Sequence, residues 1–246
     1  VGSLQRLVEA LGAGDAKPKL QKPERPGLPS GSLNASKVCQ ALGALLPDRA
    51  IISDEAQTSG LKLPSMTAGA PRHDVLTLTG GAIGQALPVA VGAAIAGQDR
   101  PVVALVGDGT AMYTLQALWT IVREKLDVTT VVFNNRSYAI LNIELQRTGA
   151  GNPGPKAKAQ LDLAAPPLDF VSLAQGMGMP ARRATTAEEF NEALLQAFRE
   201  PGPHLIEAVV PSEYEGLKLK ALPHVLGALD KIPTSVAKAI KSKLAP

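Results

Sequence analysis

Aromatic residues make up only 3% of this 246-residue sequence, too few to build the stacking platforms that grip single-stranded nucleic acid. There is one cysteine, Cys39. That excludes an intrachain disulfide, a cysteine-based zinc site and a cysteine-held iron–sulfur cluster, and it fits a protein of the reducing cytoplasm. Long apolar runs are missing as well. The richest stretch, residues 82–97, is interrupted by Gln85, Pro88 and several glycines, so no segment reads as a membrane span or a secretory leader. Charged residues are few, at 19%, and hydrophobic residues reach 45%; this is the composition of an ordinary globular chain and not of a disordered one.

The net charge of +3 is unevenly distributed. Residues 1–29 carry 5 basic and 3 acidic groups, residues 214–246 carry 6 and 2, and residues 30–213 carry 14 and 17. A basic surplus confined to the extensions is a solvated face and not a nucleic-acid footprint, so neither nucleic acid nor membrane is expected as a partner.

Three stretches differ in character. Residues 1–29 read as the end of a preceding domain and a Pro-rich linker: SLQRLVEALGAG is the close of a helix stopped by Gly12 and Gly14, and DAKPKLQKPERPGLP alternates charge around prolines. With Val1 in place of Met, they point to a processed chain or to part of a longer one. Residues 213–246 are a basic C-terminal extension, and residues 30–212 form one domain in which strand and helix alternate.

Within that domain, Val38, Leu42, Leu45 and Leu46 fall on one helical stripe after Asn34, and AIIS ending at Asp54 is a strand. VLTL (75–78) is predicted as a second strand and GQALPVAVGAAIAG as a helix rich in small residues. VVALV (102–106) is a β-branched run suited to a strand covered on both faces. A helical stripe of Leu115, Leu118, Trp119 and Val122 follows, then the strand VTTVVF (128–133), which completes a βαβ unit. Thr186 and Glu189 have capping-box spacing ahead of Phe190, and HLIEAVV (204–210) is the last strand. The expected fold class is α/β, a doubly wound parallel sheet with helices on both faces.

Two segments carry chemistry: Gly107-Asp108-Gly109-Thr110 directly after VVALV, and Asn134-Asn135 directly after VVF. Both lie where parallel strands end, the edge at which such sheets bind ligands, and they converge if the two strands are neighbours. Glycines flanking Asp108 let backbone N–H groups approach a phosphate, and a helix starting near Ala111 adds its positive end. Asp108 would repel that phosphate unless a divalent cation lay between them, with Asp108 and the amide oxygen of Asn135 as hard ligands. Mg2+ suits such a site. The plain alternative is a tight turn with Asp108 as a helix cap. A dinucleotide fingerprint is excluded, because GDGTAM lacks the third glycine.

The segment GDGTAMYTLQALWTIVREKLDVTTVVFNN resembles the thiamine-diphosphate motif, which opens with GDG and closes with NN; Asp108 and Asn135 are 27 residues apart, as that motif requires. The resemblance extends over roughly residues 30–212 and implies a thiamine-diphosphate-binding fold. It implies, more narrowly, the diphosphate-side domain of the benzoylformate decarboxylase and acetolactate synthase group. In that family the metal is held by the residues matching Asp108, Asn135 and the main-chain carbonyl of Ser137. SDEAQTSG is similar to the family's loop after its first strand, which implies that Gln57 and Thr58 approach the diphosphate. TGGAIGQALPVAVGAA resembles the next phosphate-side segment, with cofactor contacts from Gly81, Ala82 and Ile83. Ile83 matches the bulky apolar residue that wedges the cofactor into its bent form; taken alone it is equally a core residue. Gly107, Gly109 and Thr110, and then Tyr138, Ala139 and Ile140, complete the implied cofactor contacts.

The implied function is that of the C-terminal cofactor domain of a thiamine-diphosphate- and Mg2+-dependent decarboxylase or carboligase acting on a 2-oxo acid. The family's activating glutamate comes from a pyrimidine-binding domain of the same or a partner subunit. No residue of this chain is therefore assigned as catalytic, the chain alone is expected to be inactive, and the working protein is expected to be a homo-oligomer, dimer or tetramer. ALWT and NNRSYAIL are closer to benzoylformate-decarboxylase-like enzymes, and NIELQ (142–146) lacks the tryptophan that acetolactate synthases place near this point. The competing reading is a non-catalytic regulatory module that binds a Mg-nucleotide on the same architecture.

Overall fold

A computed structural model describes residues 2–17, 22–97, 99–148 and 153–212; the basic C-terminal extension lies outside the described residues. The strands are β1 (Ala50–Glu55), β2 (His73–Thr77), β3 (Val102–Gly107), β4 (Val128–Asn134), β5 (Ala181–Ala184) and β6 (Pro203–Val209). The helices are α1 (Gly2–Ala10), α2 (Ala35–Leu45), α3 (Leu63–Met66), α4 (Ala86–Ala96), α5 (Asp108–Thr114), α6 (Ala117–Arg123), α7 (Ala139–Arg147), α8 (Pro155–Ala159), α9 (Phe170–Gly176) and α10 (Ala187–Arg199). The strands form one sheet in the order β2-β1-β3-β4-β6-β5, and every pairing is parallel.

Alternate residues of the central strands feed two separate cores, which is why β3 and β4 read as continuous apolar runs. On one face, Ile52, Val103, Leu105, Val131 and Phe133 pack against Val38 and Leu42 of α2 and Phe190 and Leu194 of α10. On the other, Ala104, Val106, Val128 and Val132 meet Leu87 and Ala90 of α4, Leu118 and Ile121 of α6, and Phe170 of α9. Each fully buried side chain of this size contributes about 1.5–3 kcal/mol. Helix ends follow local chemistry. The Asn34 side chain accepts from Lys37 N at 2.9 Å to start α2, and Thr186 and Glu189 form a complete capping box at α10.

The chain leaves β1 toward the α2 side of the sheet and leaves β3 toward the α4 side, since Ala56 and Leu63 belong to the first core and Ala111 and Leu115 to the second. The crevice between β1 and β3 is therefore a topological switch point, where a doubly wound sheet opens at its C-terminal edge.

Four expectations need correction. The helix after VVALV begins at Asp108 and not near Ala111, because Gly107 is the extended N-cap and a carboxylate is favoured in the first turn. The stripe from Leu115 to Val122 is interrupted at Leu115–Gln116, and Trp119 is 51% exposed, its ring carrying the Arg123 guanidinium at 5.0 Å. The second strand runs over His73–Thr77, two residues ahead of its predicted start, on the edge of the sheet. The second half of the linker is docked: Arg25 donates to the carbonyls of Gly43 and Leu46, Gln40 holds the Gly27 carbonyl and Asn191 the Pro29 carbonyl. Ahead of it, α1 buries none of its residues, and Leu4, Leu7 and Val8 are exposed.

Candidate functional site

Strands β3 and β4 are neighbours, with Gly107 paired to Phe133 at the end of the ladder. The two strand-end segments therefore meet. Asp108, 3% exposed, accepts from Gly109 N at 2.8 Å through Oδ1 and from Arg136 N at 2.6 Å through Oδ2. The second bond requires the turn after β4 to fold back on the carboxylate, and Arg136 takes a left-handed φ of 57° to do so. Asn135 Oδ1 accepts from Ser137 N at 2.9 Å and tightens the same turn. The Asn142 amide then donates to Ser137 Oγ at 3.0 Å and to the Tyr138 carbonyl at 3.3 Å.

A cavity of about 50 Å³ lies between these groups and the single helical turn Gln57–Gly60 that follows β1. At roughly 10–15 Å³ per water-sized group it has room for a cation and a few oxygen ligands. Gln57 and Thr58 after β1, Gly107, Asp108, Gly109 and Thr110 after β3, and Asn135 and Ser137 after β4 line it together. Tyr138, Ala139 and Ile140 also reach it. The Tyr138 ring lies directly against the Gly109 backbone, so any side chain at Gly109 would collide with it.

Burial pushes the Asp108 carboxyl up from 3.8 to about 6, against the amides of Gly109, Arg136, Asn135 and Ser137, which favour the charged form. Among the described residues no lysine or arginine pairs with it. A buried carboxylate that lacks a cationic partner, facing an amide oxygen across a small cavity, is suited to a hard divalent cation that has further ligands of its own. Among the described residues no three His, Cys, Asp or Glu side chains cluster to hold a metal by themselves, so a cation here would share its coordination with a ligand.

The expected residues Gly81, Ala82 and Ile83 do not line this cavity; they are exposed on the loop between β2 and α4. Ile83 is 41% exposed, which removes the reading of it as a core residue. The loop is held from beneath by a residue that sequence reasoning missed. Glu55, 2% exposed at the end of β1, accepts from Gly84 N at 2.5 Å and from Ala86 N at 2.8 Å, and Thr114 Oγ1 donates to the Gly84 carbonyl at 2.7 Å. Gly84 has φ 91°, and a Cβ there would lie 2.7 Å from Tyr113 Cβ. A second missed carboxylate, Glu207 in β6, is 1% exposed and accepts from Asn134 Nδ2 at 2.6 Å. The available signal in both cases was an acidic residue inside a buried parallel strand.

Comparison with known proteins adds an independent line of evidence. Residues 58–208 match the family described as thiamine pyrophosphate enzyme, C-terminal TPP binding domain. The chain is 57% identical over 211 residues to a Mycobacterium tuberculosis protein provisionally named acetolactate synthase large subunit IlvX, covering 85% of this chain and 41% of that one. It is 30% identical over 219 residues to benzoylformate decarboxylase of Pseudomonas aeruginosa, covering 87% and 40%. Among solved structures, the thiamine diphosphate-dependent 4-hydroxybenzoylformate decarboxylase of Rhodococcus jostii superposes with a TM-score of 0.69 at 28% identity, covering 85% of this chain and 39% of that one. The chain thus spans about two fifths of the length of these relatives.

Proposed function

The chain belongs to the thiamine pyrophosphate enzymes, as their C-terminal TPP binding domain, and from that premise we propose that it is the cofactor-holding part of a Mg2+-dependent 2-oxo acid decarboxylase or carboligase. The observation that carries this reading is the meeting of Asp108, Asn135 and Ser137 with Gln57 and Thr58 around one cavity at the ends of β1, β3 and β4.

Each residue has a role in this reading. Asp108, the Asn135 amide oxygen and the Ser137 carbonyl would hold Mg2+, whose charge would offset the repulsion between Asp108 and the diphosphate. Gln57, Thr58 and the backbone of Gly107, Gly109 and Thr110 would seat the diphosphate, and Tyr138, Ala139 and Ile140 would border the cofactor on the α7 side. Gly81 and Ala82 would bring Ile83 against the cofactor from the β2–α4 loop, whose position Glu55 and Thr114 fix. Bound thiamine diphosphate supplies a carbon nucleophile for the carbonyl of a 2-oxo acid and a sink for the electrons left when CO2 departs. This chain contributes position and charge balance. The group that activates the cofactor would come from a pyrimidine-binding domain of the same or a partner subunit, so the 246-residue chain alone would be inactive. The assembled protein would be a homo-oligomer, with a cytoplasmic location. Decarboxylase and carboligase both remain in the reading, because the relative at 57% identity is named for one activity and the superposed structure for the other.

Calorimetry and thermal unfolding of the chain with thiamine diphosphate and Mg2+ test the reading. Each ligand should strengthen the other's binding, EDTA should remove the effect, and ATP with Mg2+ should not stabilise the chain. Stabilisation by the nucleotide instead of thiamine diphosphate would identify a nucleotide-binding regulatory module, and cofactor binding indifferent to EDTA would overturn the metal assignment.

A further inference from the structure

A row of charge crosses the sheet beneath α9. Glu207 divides its carboxylate: Oε1 accepts from Asn134 Nδ2 at 2.6 Å and Oε2 from Arg183 Nε at 2.9 Å. Arg183 is the direct neighbour of Glu207 in the β5–β6 ladder, and its other arm donates to Asp169 Oδ1 at 2.7 Å. Asp169 in turn caps α9 through Ser172 N. On the opposite side, Glu207 is paired with Val132, so its side chain reaches diagonally to Asn134, two residues further along β4.

Burying a carboxylate is costly, and Arg183, whose side chain is 46% exposed, offsets only part of that cost through a solvent-screened pairing. Core stability therefore gives no reason for Glu207 between Leu205 and Ile206 on one side and Ala208 and Val209 on the other. Its position gives one. Asn134 is the last residue of β4, 4% exposed, and its carbonyl accepts the final ladder bond from Val210 N at 3.1 Å. Adjacent residues of an extended chain project in opposite directions, so fixing the Asn134 side chain onto Glu207 also fixes the direction in which Asn135 leaves the strand. The turn Asn135–Ser137 is then anchored ahead of its start by Glu207 through Asn134 and at its middle by Asp108 through Arg136 N.

We propose that Glu207, held by Arg183, is the positioning residue of the metal-binding turn: it acts through Asn134 to aim Asn135 and Ser137 at the cation. The inference rests on the functional reading above. Outer partners of metal ligands change affinity by about 10–100-fold when they are lost, which sets the size of the expected effect.

The experiment measures the Mg2+ concentration for half-maximal binding at saturating thiamine diphosphate, alongside the melting temperature without ligands. Glu207→Ala alone is a poor probe, because it removes the acceptor of Asn134 and one of the two carboxylates that hold the half-exposed Arg183 at once, so the two effects are not separated. Two double variants avoid this. Arg183→Met/Glu207→Gln removes both charges but keeps an acceptor for Asn134, and should need Mg2+ within about twofold of wild type, the usual spread of independent sites. Arg183→Met/Glu207→Leu removes the acceptor as well and should need roughly tenfold more or beyond, as should Asn134→Ala. Equal Mg2+ requirements in the Gln and Leu variants, or requirements that follow melting temperature alone, would overturn the positioning role and leave the functional reading intact. A wild-type chain with no Mg2+-dependent cofactor binding would overturn the functional reading and this inference with it.

Discussion

Asp108 has the least favourable surroundings of the site and for that reason the most informative ones. Its carboxyl titrates at about 6, raised by burial above the ordinary 3.8. A raised carboxylate means that the folded chain holds its proton more tightly than the unfolded chain. The stability from this group is fully present below 3.8 and is lost as pH rises through about 6. Denaturation of the ligand-free chain at pH 5 and pH 7 should reveal that loss, and Asp108→Asn should abolish it; an unchanged difference in the variant would assign it elsewhere, Asp54 being the next carboxyl raised by burial. Cation binding has the opposite slope, because the metal needs the ionised form. The affinity for Mg2+ with thiamine diphosphate should weaken about tenfold per pH unit below 6 and level off above 7. In the proposed function Ile83 would make a different kind of contribution. In a full-length enzyme, Ile83→Ala should lower turnover more than cofactor affinity, since a wedge shapes the bound cofactor while the anchor is elsewhere; equal losses would mark it as packing.

Among the elements, α4 shows how the fold places the site. Every residue from Ala86 to Ala96 is apolar or glycine, so the helix has no polar side chain to set its own start. The start comes from β1, where Glu55 takes the N–H groups of Gly84 and Ala86. Glu55→Gln keeps the volume but offers one acceptor in place of two and turns an NH2 toward a buried N–H. A loss of about 1–3 kcal/mol is expected in urea denaturation, together with, in a full-length enzyme, a larger loss of turnover than Thr186→Ala produces. That second change removes the α10 capping box for about 0.5–2 kcal/mol, and Thr186 does not line the cavity. If the two variants lose activity only in proportion to stability, Glu55 has no part in placing the loop.

For the whole molecule, the main fact is coverage. The chain spans about two fifths of its relatives, and it presents Ile95 of α4, Met112 and Tyr113 of α5 and Trp119 of α6 as exposed apolar side chains. Hydrogen exchange should therefore slow at residues 54–58, 80–84 and 134–138 when Mg2+ and thiamine diphosphate are added, and slow further in the assembled oligomer, because ligands and partners stabilise what they bind. Exchange at these loops that is already as slow as in β3 and β4, and unmoved by cofactor, would mean that they are set by this chain alone.

The amino-acid sequence determined five of the six strands, β5 being the exception, together with α2, α4 and α10, and it put Asp108 and Asn135 at strand ends, because apolar periodicity and glycine punctuation report local backbone and burial directly. It did not determine that β3 and β4 are adjacent, without which the two motifs would be unrelated turns. Nor did it reveal that Glu55 and Glu207 hold the site from beneath, that residues 25–29 lie against the body of the fold, or that Trp119 faces outward from a helix whose spacing placed it inward. Those outcomes depend on which distant surfaces meet. A carboxylate in a strand is only an anomaly in the sequence until the folded chain brings a donor from another strand, 73 residues away for Glu207 and Asn134, within 2.6 Å of it.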